Sequence, residues 1–91
     1  MSQTVRAEVV IRNARGLHAR ASARFVTCAQ DFDAEVEVCA AGRTVRADSI
    51  MELLMLAAGQ GTPLTICASG QQAREAVATL AALVEDGFGE H

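Results

Sequence analysis

Residues 5–29 read VRAEVVIRNARGLHARASARFVTCA, and the spacing of apolar residues changes within this stretch. Over residues 5–11, apolar and polar positions largely alternate, which predicts a strand with one buried face. From residue 17 onward the apolar positions have helical spacing, which predicts an amphipathic helix. Residues 13–16 separate the two patterns and are expected to form a loop. The predicted buried face of the helix comprises Leu17, Ala21, Phe25, Cys28 and Ala29.

A hairpin is predicted next, with strands at residues 34–40 and 43–46 joined by a tight turn at Ala41-Gly42. The first of these strands alternates, so Val36 and Val38 are expected to face the core. The positions expected to face water are Glu35, Glu37 and Cys39.

A short helix is predicted to begin at Ser49. Ser49 and Glu52 have the S-x-x-E spacing of a capping box, and an apolar run follows them. Gly59 and Gly61 are expected to end this helix. A fourth strand is predicted at residues 64–68, where apolar and polar residues alternate again.

The last predicted element is a long helix. Ser69 and Gln72 repeat the capping-box spacing at its start, and Gly87 is expected to be its C-cap. Its expected buried face comprises Ala73, Val77, Leu80 and Val84. The order is therefore β-α-β-β-α-β-α, and the predicted fold class is α+β: an open-faced β-sandwich with a four-stranded antiparallel sheet and three helices on one face. We expect a single domain spanning residues 1–91.

Composition excludes several classes of protein. Hydrophobic residues make up 51% and charged residues 21% of the chain, which is typical of a globular protein. The longest apolar run, residues 53–58, is far shorter than the roughly 20 residues that span a bilayer. The N-terminus has no apolar stretch of signal-peptide length, so we expect a cytoplasmic protein with three reduced cysteines. We expect no cofactor, no membrane contact and no metal, because His18 and His91 offer no zinc-like spacing.

Charge is distributed unevenly along the chain. Residues 1–30 contain five arginines and only Glu8 as an acid, a net charge of +4, whereas residues 31–91 contain three arginines and ten acids, a net charge of −7. This asymmetry predicts an anionic partner that meets one face of the protein. One alternative is an RNA-binding domain, which would show steep salt-dependent binding. The chain contains no Trp or Tyr to stack on bases, so we expect no nucleic acid.

His18 lies where the predicted loop meets the predicted helix. The start of a helix offers free N–H groups and a partial positive charge, which favour a bound phosphate. The same field, with Arg15 and Arg20 nearby in sequence, favours a neutral and nucleophilic imidazole. Such a histidine is suited to carrying a phosphoryl group on nitrogen. The local pattern leaves open the alternative that His18 is only a surface or capping residue.

The sequence resembles the HPr family, the histidine-containing phosphocarriers of bacterial phosphotransferase systems. Residues 13–20, NARGLHAR, match the family's active-site pattern N-x-x-G-L-H-A-R. Ser49-Ile50-Met51 is similar to the family's regulatory serine segment, and Gly61-Thr62 also fits the family pattern. These separated motifs and the order of elements extend the resemblance over almost the whole chain.

The resemblance implies roles for individual residues. Enzyme I, which draws its phosphoryl group from phosphoenolpyruvate, would phosphorylate His18 on Nδ1, and Arg20 would stabilise the phosphohistidine. His18 would then pass the group to an enzyme IIA-type acceptor of a sugar or nitrogen-related system. Ser49 would be the regulatory site of HPr kinase/phosphorylase. The implied partner-binding surface comprises Arg15, Arg24, Ile50, Met51 and Met55. The protein would be a monomeric carrier that is not an enzyme on its own.

The chain departs from the family pattern at Ala21 and Ser22, where Pro and Ala are common. Loss of the proline is expected to loosen the start of the helix without removing a reacting group. Ser49 also has a purely structural explanation as a helix N-cap. A rival function is a regulatory protein-docking module controlled by Ser49 phosphorylation, with no carrier role. The presence of His18 together with Arg20 argues against that rival.

Overall fold

The computed structural model describes residues 4–90, which form one sheet and three α-helices. The strands are β1 (Thr4–Val10), β2 (Glu35–Ala40), β3 (Arg43–Arg46) and β4 (Pro63–Ser69). The helices are α1 (Ala19–Gln30), α2 (Ile50–Met55) and α3 (Ala73–Glu85), followed by a short 3-10 helix, Gly87–Gly89. The predicted order β-α-β-β-α-β-α is confirmed. His91, considered above as a metal ligand, lies outside the described residues.

The sheet has the strand order β1-β4-β2-β3, and all neighbouring strands are antiparallel. Val9 of β1 lies opposite Leu64 of β4, and Val36 of β2 lies opposite Ala68 of β4. Because side chains alternate along a strand, these apolar residues share one face of the sheet. That face is buried and the other is open, which confirms the predicted α+β open-faced sandwich.

The helices cover the apolar face of the sheet. Helix α3 packs against β1 and β4, and α1 packs against both α2 and α3. The largest fully buried side chains include Phe25, Leu53, Ile66, Leu80 and Phe88. The predicted buried face of α3 is confirmed, whereas Phe88 belongs to the core although it lies beyond that helix. Within residues 4–90, no helix combines the length and the apolar character needed to cross a membrane.

The hairpin turn between β2 and β3 follows the prediction. Ala41 and Gly42 both have left-handed backbones, with φ of 52° and 78°. Positive φ at both central residues is typical of the two-residue turn that matches the twist of paired strands. On the open face of β2, Glu35 and Glu37 are exposed as predicted, while Cys39 is half-buried.

Helix α2 ends earlier than the apolar run predicts. Its last residue is Met55, and the N–H groups of Leu56 and Ala57 donate to the carbonyls of Leu53 and Leu54, three residues back. These bonds tighten the last turn, and Ala57 then adopts a left-handed φ of 50°. The chain therefore leaves the helix before reaching the glycines that were expected to end it.

The second predicted capping box is wrong. Ser69 is the last residue of β4, and α3 begins only after Gln72, whose side chain makes no capping hydrogen bond. Instead the Gln72 side-chain oxygen accepts the Asp33 N–H at 2.8 Å, and the Gln72 N–H donates to the Asp33 carbonyl at 2.9 Å. A tertiary contact with the loop before β2 has replaced the local cap.

Cys28 is half-buried, in contrast to the prediction that it belongs to the core. It lies near the end of α1 and packs against the edge of the core. Burial, and secondarily the neighbouring Asp31 carboxylate, raise the pKa of the Cys28 thiol. All three cysteines are free thiols in this structure.

Ser49→Ala should destabilise the protein, because the Ser49 hydroxyl accepts the Glu52 N–H at 3.3 Å and caps α2. We expect the free energy of unfolding, measured by urea denaturation, to fall by about 1 kcal/mol. Ser69→Ala is the matched control, since Ser69 caps no helix, and should change that free energy by less than about 0.5 kcal/mol. Equal losses in the two variants would contradict the difference between the two serines.

Candidate functional site

A left-handed glycine shapes the loop before α1. Gly16 has a φ of 63°, and a Cβ there would lie 2.5 Å from the Ala58 carbonyl oxygen and 2.7 Å from the Gly59 Cα. Glycine alone satisfies both the backbone conformation and the available space. The Leu17 N–H donates to the same Ala58 carbonyl at 2.9 Å. The loop is therefore held against the segment that follows α2.

His18 is the residue from which α1 starts. Its backbone is extended, and its carbonyl accepts the Ser22 N–H at 2.9 Å, the first bond of the helix. Leu17 and Ala21 are buried on either side, while the His18 side chain remains 15% exposed. The imidazole makes no capping hydrogen bond, and the first turn of α1 contains no acidic residue. No acidic side chain in the first turn therefore offsets the positive end of the helix, which lies directly beside the ring.

The His18 ring is paired with a carboxylate from the far end of the described chain. Nε2 lies 2.5 Å from Oε2 of Glu90, whose side chain is 29% exposed. The other carboxylate oxygen, Oε1, accepts from Nδ2 of Asn13 at 3.0 Å, and the same Nδ2 donates to the Gly16 carbonyl at 2.8 Å. Asn13 thus connects the loop to Glu90 and, through Glu90, to the imidazole.

These hydrogen bonds favour the ionised form of the Glu90 carboxyl. The hydrogen bond from His18, and after it the hydrogen bond from Asn13, hold the pKa of the Glu90 carboxyl below its ordinary value. The Arg15 guanidinium contributes in the same direction. Glu90 is therefore an anion at neutral pH.

The segment after α3 carries Glu90 to His18. Phe88 is fully buried with a left-handed φ of 57°, and its carbonyl accepts a hydrogen bond from the Arg24 guanidinium. Gly87, also left-handed, lies close to Asn13, so the tail passes directly over the loop. We call residues 87–90 the tail from here on.

The N-terminal arginines do not form one basic face, in contrast to the prediction from charge. Arg15 and Arg20 are exposed on the loop and on the first turn of α1, close to His18 in the chain. Arg6, however, lies on the open side of the sheet, where its guanidinium is 3.9 Å from the Cys67 sulfur. The alternation of β1 turns Arg6 away from the helices, because its neighbours Val5 and Ala7 face the core. The basic charge near His18 is smaller than the sequence count suggests.

Helix α2 presents an apolar patch. Ile50, Met51 and Met55 have exposed fractions of 38%, 69% and 61%. Ser49 precedes them as the N-cap of α2, but Glu52 does not complete the predicted capping box. Its carboxylate accepts the Arg46 N–H at 3.4 Å instead. The patch lies on the helix that packs against α1, which begins at His18.

Asn13 and Glu90 are site residues that the sequence analysis did not identify as such. Asn13 stands inside the quoted motif, but nothing in the local pattern predicts that it is 4% exposed and bonded to the tail. Glu90 is 72 positions from His18. The one available signal is the Gly-Phe-Gly sequence at 87–89, of which only Gly87 enters the prediction, as a C-cap. Among residues 4–90, no group of three His, Cys, Asp or Glu side chains is arranged to hold a metal ion.

Three comparisons with known proteins all point to the same protein family. A family model described as "PTS HPr component phosphorylation site" matches residues 5–86. The phosphocarrier protein HPr of Cupriavidus necator is 43% identical over 91% of this chain and 93% of its own length. The phosphocarrier protein NPr of Shewanella violacea is 39% identical over 91% of each chain. A crystal structure of HPr from Thermoanaerobacter tengcongensis superimposes with a TM-score of 0.91 at 36% identity, over 96% of this chain and 98% of that one.

Gly16→Ala should disturb the loop that holds His18, because the new methyl group would collide with the backbone of Ala58 and Gly59. We expect a loss of unfolding free energy of about 2–5 kcal/mol, from the left-handed backbone and the collision together.

Gly42→Ala is the control, since Gly42 is also left-handed but has no atom within 4 Å of an added Cβ. It should cost about 1 kcal/mol. Urea denaturation measures both losses. A Gly16 variant no less stable than the Gly42 variant would contradict the close approach described here.

Proposed function

The chain belongs to the HPr family of phosphocarrier proteins, and from that premise we propose that His18 is the residue on which it carries a phosphoryl group. The observation that carries the proposal is the position of the imidazole. It lies at the start of α1 beside unpaired helical amides, with Nε2 engaged by Glu90. Nδ1 is then the ring nitrogen with a lone pair for attack on phosphorus.

In the proposed transfer, the Nδ1 lone pair attacks phosphorus in line with the bond to the donor. The N–P bond forms while the electron pair of the breaking bond leaves with the donor. Arg20 and the amides of the first turn of α1 would hold the equatorial oxygens, where the charge is spread. The chemistry therefore consists of positioning and electrostatic stabilisation.

We assign the donor and the acceptor by family. The phosphoryl group would come from enzyme I, charged by phosphoenolpyruvate, and would pass to an enzyme IIA-type protein. The apolar patch of Ile50, Met51 and Met55, together with exposed Arg15 and Arg20, supports an interface with a few apolar anchors and a charged rim. Such an interface can be short-lived, and a carrier must release each partner after the group has moved.

Arg24 has a mixed role in this proposal. It was expected to lie on the partner-binding surface, and its backbone position on α1 is exposed. Its guanidinium, however, donates to the Phe88 carbonyl and so helps to hold the tail. We propose that Arg24 contributes to partner binding only through its positive charge, at the rim of the proposed interface.

Ser49 is proposed as a regulatory phosphorylation site for an HPr kinase/phosphorylase. Its hydroxyl already caps α2, and a phosphate at that position would face the positive end of the helix. It would also lie at the edge of the apolar patch, where added charge would oppose partner docking. The rival function, a docking module that uses Ser49 alone, does not account for the ordered surroundings of His18.

The remaining features of the proposal concern the whole protein. We propose a single carrier domain, monomeric and cytoplasmic, with no turnover in the absence of its partners. The family membership and the lack of a spanning helix within residues 4–90 are consistent with this proposal.

Incubation with enzyme I, Mg²⁺ and phosphoenolpyruvate should add one acid-labile phosphoryl group to the wild-type protein, detected as intact mass. His18→Ala should gain none, because the nucleophile is gone. Ser49→Ala is the control variant and should gain the group as the wild type does, since Ser49 takes no part in the transfer.

A wild-type protein that stays unmodified beside a cognate, active enzyme I would overturn the carrier proposal. Phosphorylation of His18→Ala under the same conditions would assign the group to another residue. The first of these results would favour the docking module controlled by Ser49.

A further inference from the structure

Both carboxylate oxygens of Glu90 have a hydrogen-bond partner in the candidate site. Oε2 lies 2.5 Å from Nε2 of His18, and Oε1 accepts from Nδ2 of Asn13 at 3.0 Å. Asn13 is almost fully buried and is itself bonded to the Gly16 carbonyl. Both oxygens of Glu90 are therefore directed by groups that belong to the loop of the site.

A carboxylate on one ring nitrogen decides which tautomer the imidazole adopts. A carboxylate accepts a hydrogen bond, so the nitrogen that faces it carries the proton. In catalytic triads and metal sites, an acidic partner orients a histidine in this way without itself reacting. Here the proton belongs on Nε2, and Nδ1 is left with its lone pair at the start of α1.

We infer that Glu90 is a positioning residue that keeps a proton on Nε2 of His18 while the phosphoryl group arrives and while it leaves, an inference that rests on the proposed carrier function of His18. When Nδ1 bonds to phosphorus, the ring keeps its Nε2 proton and becomes cationic beside the Glu90 carboxylate. When the N–P bond breaks, its electron pair returns to Nδ1 and a neutral imidazole departs. No proton has to move in either step, and imidazolide, a poor leaving group, is never formed.

The other charges around the ring make this role necessary. Arg15 lies on the loop, Arg20 is two residues along α1, and Arg24 holds the tail through the Phe88 carbonyl. The Arg15 guanidinium acts on the carboxylate that touches the ring, and the positive end of α1 disfavours a positive charge on the imidazole. Glu90 is the acidic group that the described structure places on the ring, and it offsets that effect. The hydrogen bonds from His18 and Asn13 lower the pKa of Glu90, which favours its ionised form.

Nuclear magnetic resonance of the ¹⁵N-labelled imidazole tests the inference in the full-length protein. The variants are Glu90→Gln, which keeps an acceptor but removes the charge, and Glu90→Ala, which removes both. Glu85→Gln is the matched control, because Glu85 is an exposed acid at the end of α3 outside these contacts. Each protein is measured before and after phosphorylation, over a range of pH.

We expect the unphosphorylated wild type and Glu85→Gln to carry the proton mainly on Nε2, and Glu90→Ala to show a mixture of both tautomers. After phosphorylation, Glu90→Gln should lose its Nε2 proton at a pH lower by about one unit than the wild type. The rate of transfer to the acceptor should therefore fall by about tenfold at a pH above both of these transitions, and by much less at a pH below both.

Two results would overturn the inference alone. One is phosphorylated Glu90→Gln that loses its Nε2 proton at the same pH as wild type. The other is a loss of transfer rate that is equal at both pH values, which would indicate a merely structural role for the tail. A wild-type protein that enzyme I cannot phosphorylate on His18 would overturn both this inference and the function on which it rests.

Discussion

The close contact between two loops is the constraint on which the rest of the site depends. The loop after β1 and the segment after α2 approach so closely that only a residue without a side chain fits at Gly16. Hydrogen bonds join them along their length, from the Ile11 N–H to the Thr62 carbonyl at 3.0 Å and from the Gly61 N–H to the Ile11 carbonyl at 2.7 Å. Leu17 adds its bond to Ala58 at the other end. Helix α1 therefore starts at His18, directly after residues that these hydrogen bonds hold in place.

Much of the architecture was predictable because it follows from periodicity. The alternation in β2, the hairpin at Ala41-Gly42 and the buried face of α3 depend on neighbours in sequence, and each appeared as predicted. The two serine-based capping patterns show the limit of prediction from local spacing. Ser49 caps a helix and Ser69 does not, although their spacing to a Glu or Gln is the same. A contact from Asp33 decides the second case, and no local pattern contains it.

The candidate site likewise contains some residues that the sequence predicts and others that it does not. His18, Arg20 and Ser49 stand in motifs whose spacing predicts their place at helix starts, and the structure places them there. Glu90 could not be predicted from spacing, because its position depends on the burial of Phe88 and on a bond from Arg24 across the fold. The prediction of one basic face from the charge count was wrong for a related reason. Arg6 lies close to the other arginines in sequence, but the pleat of β1 places it on the opposite side of the sheet.

The strand order has a consequence for how the chain folds during synthesis. Within residues 4–90, β1 is at the edge of the sheet and has β4 as its one neighbour, whose residues follow it by about 60 positions. β1 is therefore translated about 60 residues before the strand with which it pairs, and pairing over such a distance in sequence slows folding. The partner of the His18 imidazole is more distant still in sequence, because the Glu90 carboxylate lies 72 residues downstream. During synthesis, His18 therefore emerges long before the carboxylate that pairs with its ring, and this contact cannot form until residue 90 has been translated.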